Sequence, residues 1–290
     1  MDGARRGRAL TRTGRPAARF DLGRIKLVAT DMDGTLLDPT GEVSLRTTAA
    51  VVGAREAGIH VIPVTGRPPQ ALWQLAAKAG LGPLGVCANG AAIVDLERQT
   101  VIEVDEIPGE VAVALVALVR TAVPGVRMAA DHLDCFSHEI GFFESPVDWQ
   151  EKLEEVADIL SVVTRGCTKL VARTSGTPAP ILIDLLEEVI RGMGHVTSSG
   201  LDWVDIGPPG ISKAQSVRRV CRLLGVSESD VVAIGDNHND LSLLAWAALS
   251  MAPANAIPEA IALTHHVLPA NADHGVAALL EELIATRPLG

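Results

Sequence analysis

The sequence predicts an α/β chain, a doubly wound parallel sheet interrupted by a large inserted α+β region. Short apolar runs of strand length alternate with helix-length stretches through residue 91 and again from residue 200. Residues 92–199 have a different texture, with a hairpin pattern, a cluster of phenylalanines and an acidic segment. Two of the strand-like runs end abruptly in aspartates followed or preceded by glycine, as expected of strands that deliver polar groups to one sheet edge.

In chain order, the run around Ile25, Leu27 and Val28 reads as a buried strand that ends in Asp31-Met32-Asp33-Gly34-Thr35-Leu36-Leu37. Gly34 suits a sharp reversal there. A helix is expected over Leu45–Glu56, stopped by Gly58. Ile59–Val64 reads as a second strand ending in Thr65-Gly66-Arg67-Pro68, and Pro68 and Pro69 open a helix to Ala79. A third strand, Gly85–Ala88, stops at Asn89-Gly90.

The spacing then predicts a hairpin over Ala91–Glu106, a helix over Pro108–Thr121 and strand-like structure over 125–145. An acidic amphipathic helix follows over Pro146–Val163, then a strand at Cys167–Arg173, a helix at Pro178–Arg191, and strands at His195–Ser199 and Leu201–Ile206. The α/β pattern resumes with a helix at Ser212–Leu224 and the apolar run Val231–Ile234, which ends in Gly235-Asp236-Asn237-His238-Asn239-Asp240 and opens another helix. Strands near Ser250–Ala252 and Val267–Leu268 and helices near Ala256–Leu263 and Val276–Ile284 complete the sheet. No repeat of fixed period occurs.

At 290 residues and 48% hydrophobic, the chain can bury one large core or two smaller ones. Its net charge of −10 argues against a general nucleic-acid binder, which would present a basic face. Residues 1–20 hold six arginines against one aspartate and read as a disordered basic extension, with no apolar segment after them to make a secretory signal. No apolar run reaches the roughly 20 residues needed to cross a bilayer. Cys87, Cys135, Cys167 and Cys221 form no close pair and read as buried thiols of a cytoplasmic protein.

In a parallel sheet the carboxyl ends of the strands share one edge, so Asp31, Asp33, Thr65, Asn89, Asp236 and Asp240 converge. Lys213, at the start of a helix after a Gly/Pro turn, is the candidate cation for that edge. Buried acids need compensation, and Asp31, Asp33 and Asp236 are hard oxygen donors with no His or Cys at ligand spacing, which favours Mg²⁺ over zinc. Taken alone, Asp31-x-Asp33-Gly34 also suits a capped turn, and Lys213 a solvated helix residue. His132, Asp134 and His138 read as scattered surface residues rather than a second metal site. His265 and His266 read as surface or strand residues, and Phe136, Phe142, Phe143 and Trp149 as packing of the insert.

The motifs Asp31–Leu37, Thr65-Gly66-Arg67, Lys213 and Gly235–Asp240 resemble, in order and spacing, the four motifs of the haloacid dehalogenase (HAD) superfamily. The resemblance covers about residues 24–287, and the insert resembles the C2-type cap of the Cof-like IIB branch. It implies a Rossmann-like catalytic core over 21–91 and 200–290, with the cap over 92–199. It also implies a Mg²⁺-dependent phosphatase of small phosphorylated metabolites, sugar phosphates first, acting without nucleic-acid or membrane partners as a monomer or homodimer. Asp31 would be the nucleophile that forms an aspartyl-phosphate, and Asp33 the general acid and base. Mg²⁺ would sit on Asp31, the Asp33 carbonyl and Asp236. Thr65, Gly66 and Lys213 would bind phosphate, Asn239 and Asp240 would support the metal and Lys213 from behind, and Asn89 and Arg67 are candidate substrate contacts. An acid at Asp33 favours ester hydrolysis over dehalogenation. The alternatives are a hexose-phosphate mutase of the same superfamily and a catalytically weak phosphate sensor.

Overall fold

The structure, a computed structural model, describes residues 11–12, 21–144, 152–200 and 202–287. Its main sheet has the strand order Thr11–Arg12, His266–Leu268, Leu249–Pro253, Val231–Ile234, Leu27–Thr30, His60–Pro63. All neighbours in it are parallel except the first pair. Leu27–Thr30 and Val231–Ile234 are buried on both faces, which is why they read as unbroken apolar runs rather than alternating ones. Val28 and Val232 face a core shared with Val51, Leu280 and Leu283 of the helices Leu45–Glu56 and Gly275–Ala285. Leu27, Ala29 and Ala233 face a second core with Val217, Val220 and Leu243 of the helices Lys213–Leu224 and Leu241–Trp246. Two helical layers thus clamp the strands, and the register Thr30↔Ile234 brings the ends bearing Asp31 and Asp236 side by side.

A second sheet carries the order His195–Thr197, Val204–Gly207, Lys169–Arg173, Arg127–Asp131, Phe136–Glu139, Leu153–Val156. One of its faces packs Met128, Leu170 and Ile206 against the helices Gly109–Ala122 and Ala179–Ile190. The other face holds Ala129, Phe136, Phe142, Val171 and Trp203.

Five sequence expectations need correction. The hairpin strands Ala92–Asp95 and Thr100–Val104 pair with Leu84–Cys87 and not with the second sheet, so the inserted sheet begins later than residue 92. Val204–Gly207, beyond the expected boundary at 199, is an inner strand of that second sheet. Leu84–Cys87 joins the main sheet only by a bridge from Val86 to Val64, with the Thr65 N–H donating to the Val86 carbonyl at 2.9 Å. Within the expected 146–163 helix, Leu153–Val156 is an edge strand parallel to Phe136–Glu139, and only Leu160–Val163 is helical. Main-chain pairing, together with the Ser137 hydroxyl donating to Glu154 at 2.9 Å, overrides the helix preference of a glutamate-rich segment. Residues 146–151, Trp149 included, lie outside the described residues. In the expected basic extension, Thr11–Arg12 pair antiparallel with His266–Val267 and cover a sheet edge.

The four cysteines are buried and free. No helix among the described residues is long and apolar enough to cross a membrane.

Candidate active site

The main-sheet strand ends build the site. The Asp31 N–H donates to the Ile234 carbonyl at 2.9 Å, tying the first strand's exit to the strand that supplies Asp236. The chain then makes one wide turn, closed by the Leu37 N–H on the Met32 carbonyl at 2.9 Å. Gly34 turns it with φ +75°, and a Cβ there would lie 2.5 Å from the Asp236 Oδ2, so only glycine permits this approach of backbone to carboxylate. The Thr35 hydroxyl donates to Asp236 Oδ1 at 2.6 Å, and the Asn255 amide donates to the Gly34 carbonyl at 2.7 Å.

Asp31, Asp236 and Asp240 offer carboxylate oxygens that all lie within 4.8 Å of one another, and all three residues are buried. Lys213, 1% exposed, opens its helix beside them. A cation is unfavourable at a helix N-terminus, and here two carboxylates offset that: Nζ donates to Asp31 Oδ1 at 2.6 Å and to Asp240 Oδ1 at 2.7 Å. Asp240 also accepts the Asp236 and Asn237 N–H groups at 2.9 and 3.1 Å, so it holds the loop and the ammonium together.

The electrostatics follow from this geometry. Burial, opposed by Lys213, pushes the Asp31 carboxyl well above the usual range. Burial and the Asp240 charge raise Asp236 to about 6. Burial alone would lower the Lys213 ammonium, but Asp240 and Asp31 outweigh it and hold the group above its ordinary value. Three acids against one ammonium leave excess negative charge in a pocket whose donors are all hard oxygens, a set that fits a divalent cation such as Mg²⁺.

Thr65 follows the strand next to Asp31; its Oγ1 accepts the Arg67 N–H at 3.1 Å, and the Asn89 N–H donates to its carbonyl at 3.1 Å. Gly66 packs against the Asn89 side chain, where a Cβ would lie 2.8 Å from Oδ1. Asp33 is not part of the three-carboxylate group; the Arg67 guanidinium grips it at 2.6 and 2.8 Å. The Lys213 ammonium donates to Asp31 and Asp240 rather than to Asn239, whose amide donates to Asn89 Oδ1 at 3.0 Å. Asn89 in turn donates to Asp205 Oδ2 at 2.9 Å. Sequence reasoning missed the Arg67–Asp33 pair, the Thr35 contact and Asp205, none of which carries a local signal. His132, Asp134 and His138 form no ligand cluster: His132 Nδ1 lies 2.9 Å from the Gly166 carbonyl, and His138 packs on Phe143 with ring centroids 4.9 Å apart.

The model of the haloacid dehalogenase-like hydrolases matches residues 28–280, and the chain belongs to that family. It is similar to the pyridoxal phosphate phosphatase YbhA of Escherichia coli, with 28% identity over 264 residues, 88% of this chain and 97% of the relative. The 5-amino-6-(5-phospho-D-ribitylamino)uracil phosphatase YcsE of Bacillus subtilis is 25% identical over 267 residues, 90% of this chain and 96% of its own. Among solved structures, the HAD subclass IIB sugar phosphatase BT4131 shares the fold with a TM-score of 0.75 at 19% identity, covering 89% of this chain and 98% of that one. The protein is thus a Cof-like hydrolase of the phosphatase kind, and enzymes of its family generally use a divalent metal.

Proposed function

We propose that this phosphatase hydrolyses small phosphorylated metabolites, sugar phosphates first among them, with Mg²⁺ and through a phosphoryl group carried on Asp31. The observation that carries the reading is Lys213, buried and shared between Asp31 at 2.6 Å and Asp240 at 2.7 Å. A nucleophilic carboxylate in so dry a place keeps its charge only beside cations, and the ammonium also has the charge a phosphoryl oxygen needs.

Asp31 attacks phosphorus, which splits one difficult displacement into two easier ones. Asp33 protonates the departing alkoxide and then takes a proton from the water that releases phosphate, while Arg67 fixes its carboxylate in place. The Thr65 Oγ1 accepts from the Arg67 backbone, which leaves its own O–H to donate to the phosphoryl group. Asp31, Asp236 and the Asp33 carbonyl would hold Mg²⁺, with Asp240 behind them. When bound, the ion supplies positive charge that shields phosphate from the anionic nucleophile. We take the second sheet and its helices as a cap that covers the cleft and excludes bulk water. The four free, buried cysteines support a reducing compartment such as the cytoplasm.

Phosphate release from a panel of phosphomonoesters, with Mg²⁺ and with EDTA, tests the proposal. Turnover is expected only with the metal and is expected to vanish in Asp31→Asn; metal-independent release, or an active Asp31→Asn, refutes it.

A further inference from the structure

We propose that Asp131 and Asp205, on the inner face of the second sheet, form an acceptor subsite for hydroxyl or amino groups on the substrate's leaving group, and so select the substrate. The inference rests on the phosphatase reading above and names what the site prefers beyond phosphate.

Antiparallel pairing creates the cluster. Lys169 stands opposite Asp131 in register, and Asp205 opposite Val171 on the other neighbouring strand, so alternation turns all three side chains to the face away from the sheet's helices. The side chains of Asp131 and Asp205 are 2% exposed and that of Lys169 10%. Lys169 Nζ donates to the Gly66 carbonyl at 3.3 Å, which fixes the cluster against Thr65-Gly66-Arg67. Asn89 links it to the catalytic loop, donating to Asp205 at 2.9 Å and accepting from Asn239 at 3.0 Å, one residue from Asp240. A small cavity bordered by Asn89, Lys169, His195 and Thr197 adjoins it.

Each carboxylate has one oxygen engaged and one without a hydrogen bond. Asp131 Oδ1 accepts the Leu133 N–H at 2.8 Å and Asp205 Oδ2 accepts Asn89, but Asp131 Oδ2 and Asp205 Oδ1 are buried with no hydrogen-bond partner. The Lys169 ammonium forms an ion pair with each of them, at 3.9 and 3.7 Å, which compensates charge and leaves both oxygens room to accept a further hydrogen bond. A buried carboxylate oxygen that accepts no hydrogen bond is costly, and two of them beside the phosphate loop point to a donor that fills them. An ionised carboxylate only accepts, so the missing partners are O–H or N–H donors. With the phosphoryl group bound at Thr65 and Lys213, the remainder of a substrate is the part of it that meets this roof.

Asp131→Asn and Asp205→Asn test the inference, because each keeps the shape and the engaged oxygen but turns the open acceptor into a donor. Phosphate release with Mg²⁺ is compared within two matched pairs. Glucose 6-phosphate is set against cyclohexylmethyl phosphate, and phosphoethanolamine against propyl phosphate. In the wild type, the donor-bearing member of at least one pair is expected to lead in kcat/KM by about tenfold or more, and each variant to lose most of that lead with the donor-free ester changed by less than about twofold. No preference in the wild-type enzyme overturns the inference without any variant, and so does an equal loss on both members of a pair in the variants. Phosphate release from none of these esters, nor from p-nitrophenyl phosphate, would instead mean that the phosphatase reading itself had failed.

Discussion

Lys213→Met removes one ammonium and keeps the aliphatic stem, and its consequences follow from the site's geometry. Breaking a buried pair by deleting one partner costs about 3–5 kcal/mol, because the other charge stays buried. Two carboxylates lose Lys213 here, but Asp240 retains the N–H groups of Asp236 and Asn237, so the cost falls mainly on Asp31 and belongs near the low end, about 3 kcal/mol. A chain of this size loses about 2–4 °C of Tm per kcal/mol, so thermal unfolding in EDTA is expected about 6–12 °C below the wild type. Mg²⁺ is expected to recover part of that loss by restoring positive charge. Phosphate release is expected to fall by about 10²–10³ or more, the usual cost of removing one preorganised charge donor. A variant melting within about 2 °C of the wild type in EDTA, and retaining about a tenth of its turnover, would refute the reasoning.

The Asp236 carboxyl, at about 6 against an unfolded value near 3.8, gives the metal-free enzyme a pH dependence. The native state holds this proton more tightly than the unfolded chain, so the contribution is full at low pH and is lost as pH rises from about 4 to 6, about 3 kcal/mol in all. Urea unfolding in EDTA is expected to show a smaller loss in Asp236→Asn than in the wild type, because the raised carboxyl of Asp31 remains in the variant; equal losses contradict it. Gly34→Ala forces a Cβ to within 2.5 Å of Asp236 Oδ2 at φ +75°. It is expected to weaken Mg²⁺ activation by about tenfold or more, read from the Mg²⁺ dependence of turnover, and an unchanged dependence would contradict the role given to this turn.

Much of the site could be read before the fold because its residues sit at the ends of apolar strands. Asp31 follows Leu27–Thr30 and Asp236 follows Val231–Ile234 with a single glycine between, and a parallel sheet leaves such ends on one edge. Lys213 was legible only from its order among the motifs, since a lysine in a first helical turn has no local signal of burial. Leu153–Val156 was missed because glutamates favour a helix in isolation, and only the neighbouring strand makes an extended conformation pay. Asp131, Lys169 and Asp205 each look like ordinary strand residues, and the cluster exists only through pairings between strands distant in the chain. The family resemblance implies that Asn239 supports the metal and Lys213 from behind, whereas the short turn at His238–Asp240 directs its amide to Asn89.

Whether phosphorus is ever bonded to Asp31 is the point that most directly tests the account. Enzyme mixed with Mg²⁺ and a substrate that turns over, quenched in acid during turnover and reduced with borohydride, converts an acyl phosphate to an alcohol that peptide mass spectrometry can locate. The account predicts reduction at Asp31 alone, dependent on substrate and metal. Reduction at Asp33 or Asp236, or none at any carboxylate while phosphate is being released, would contradict it.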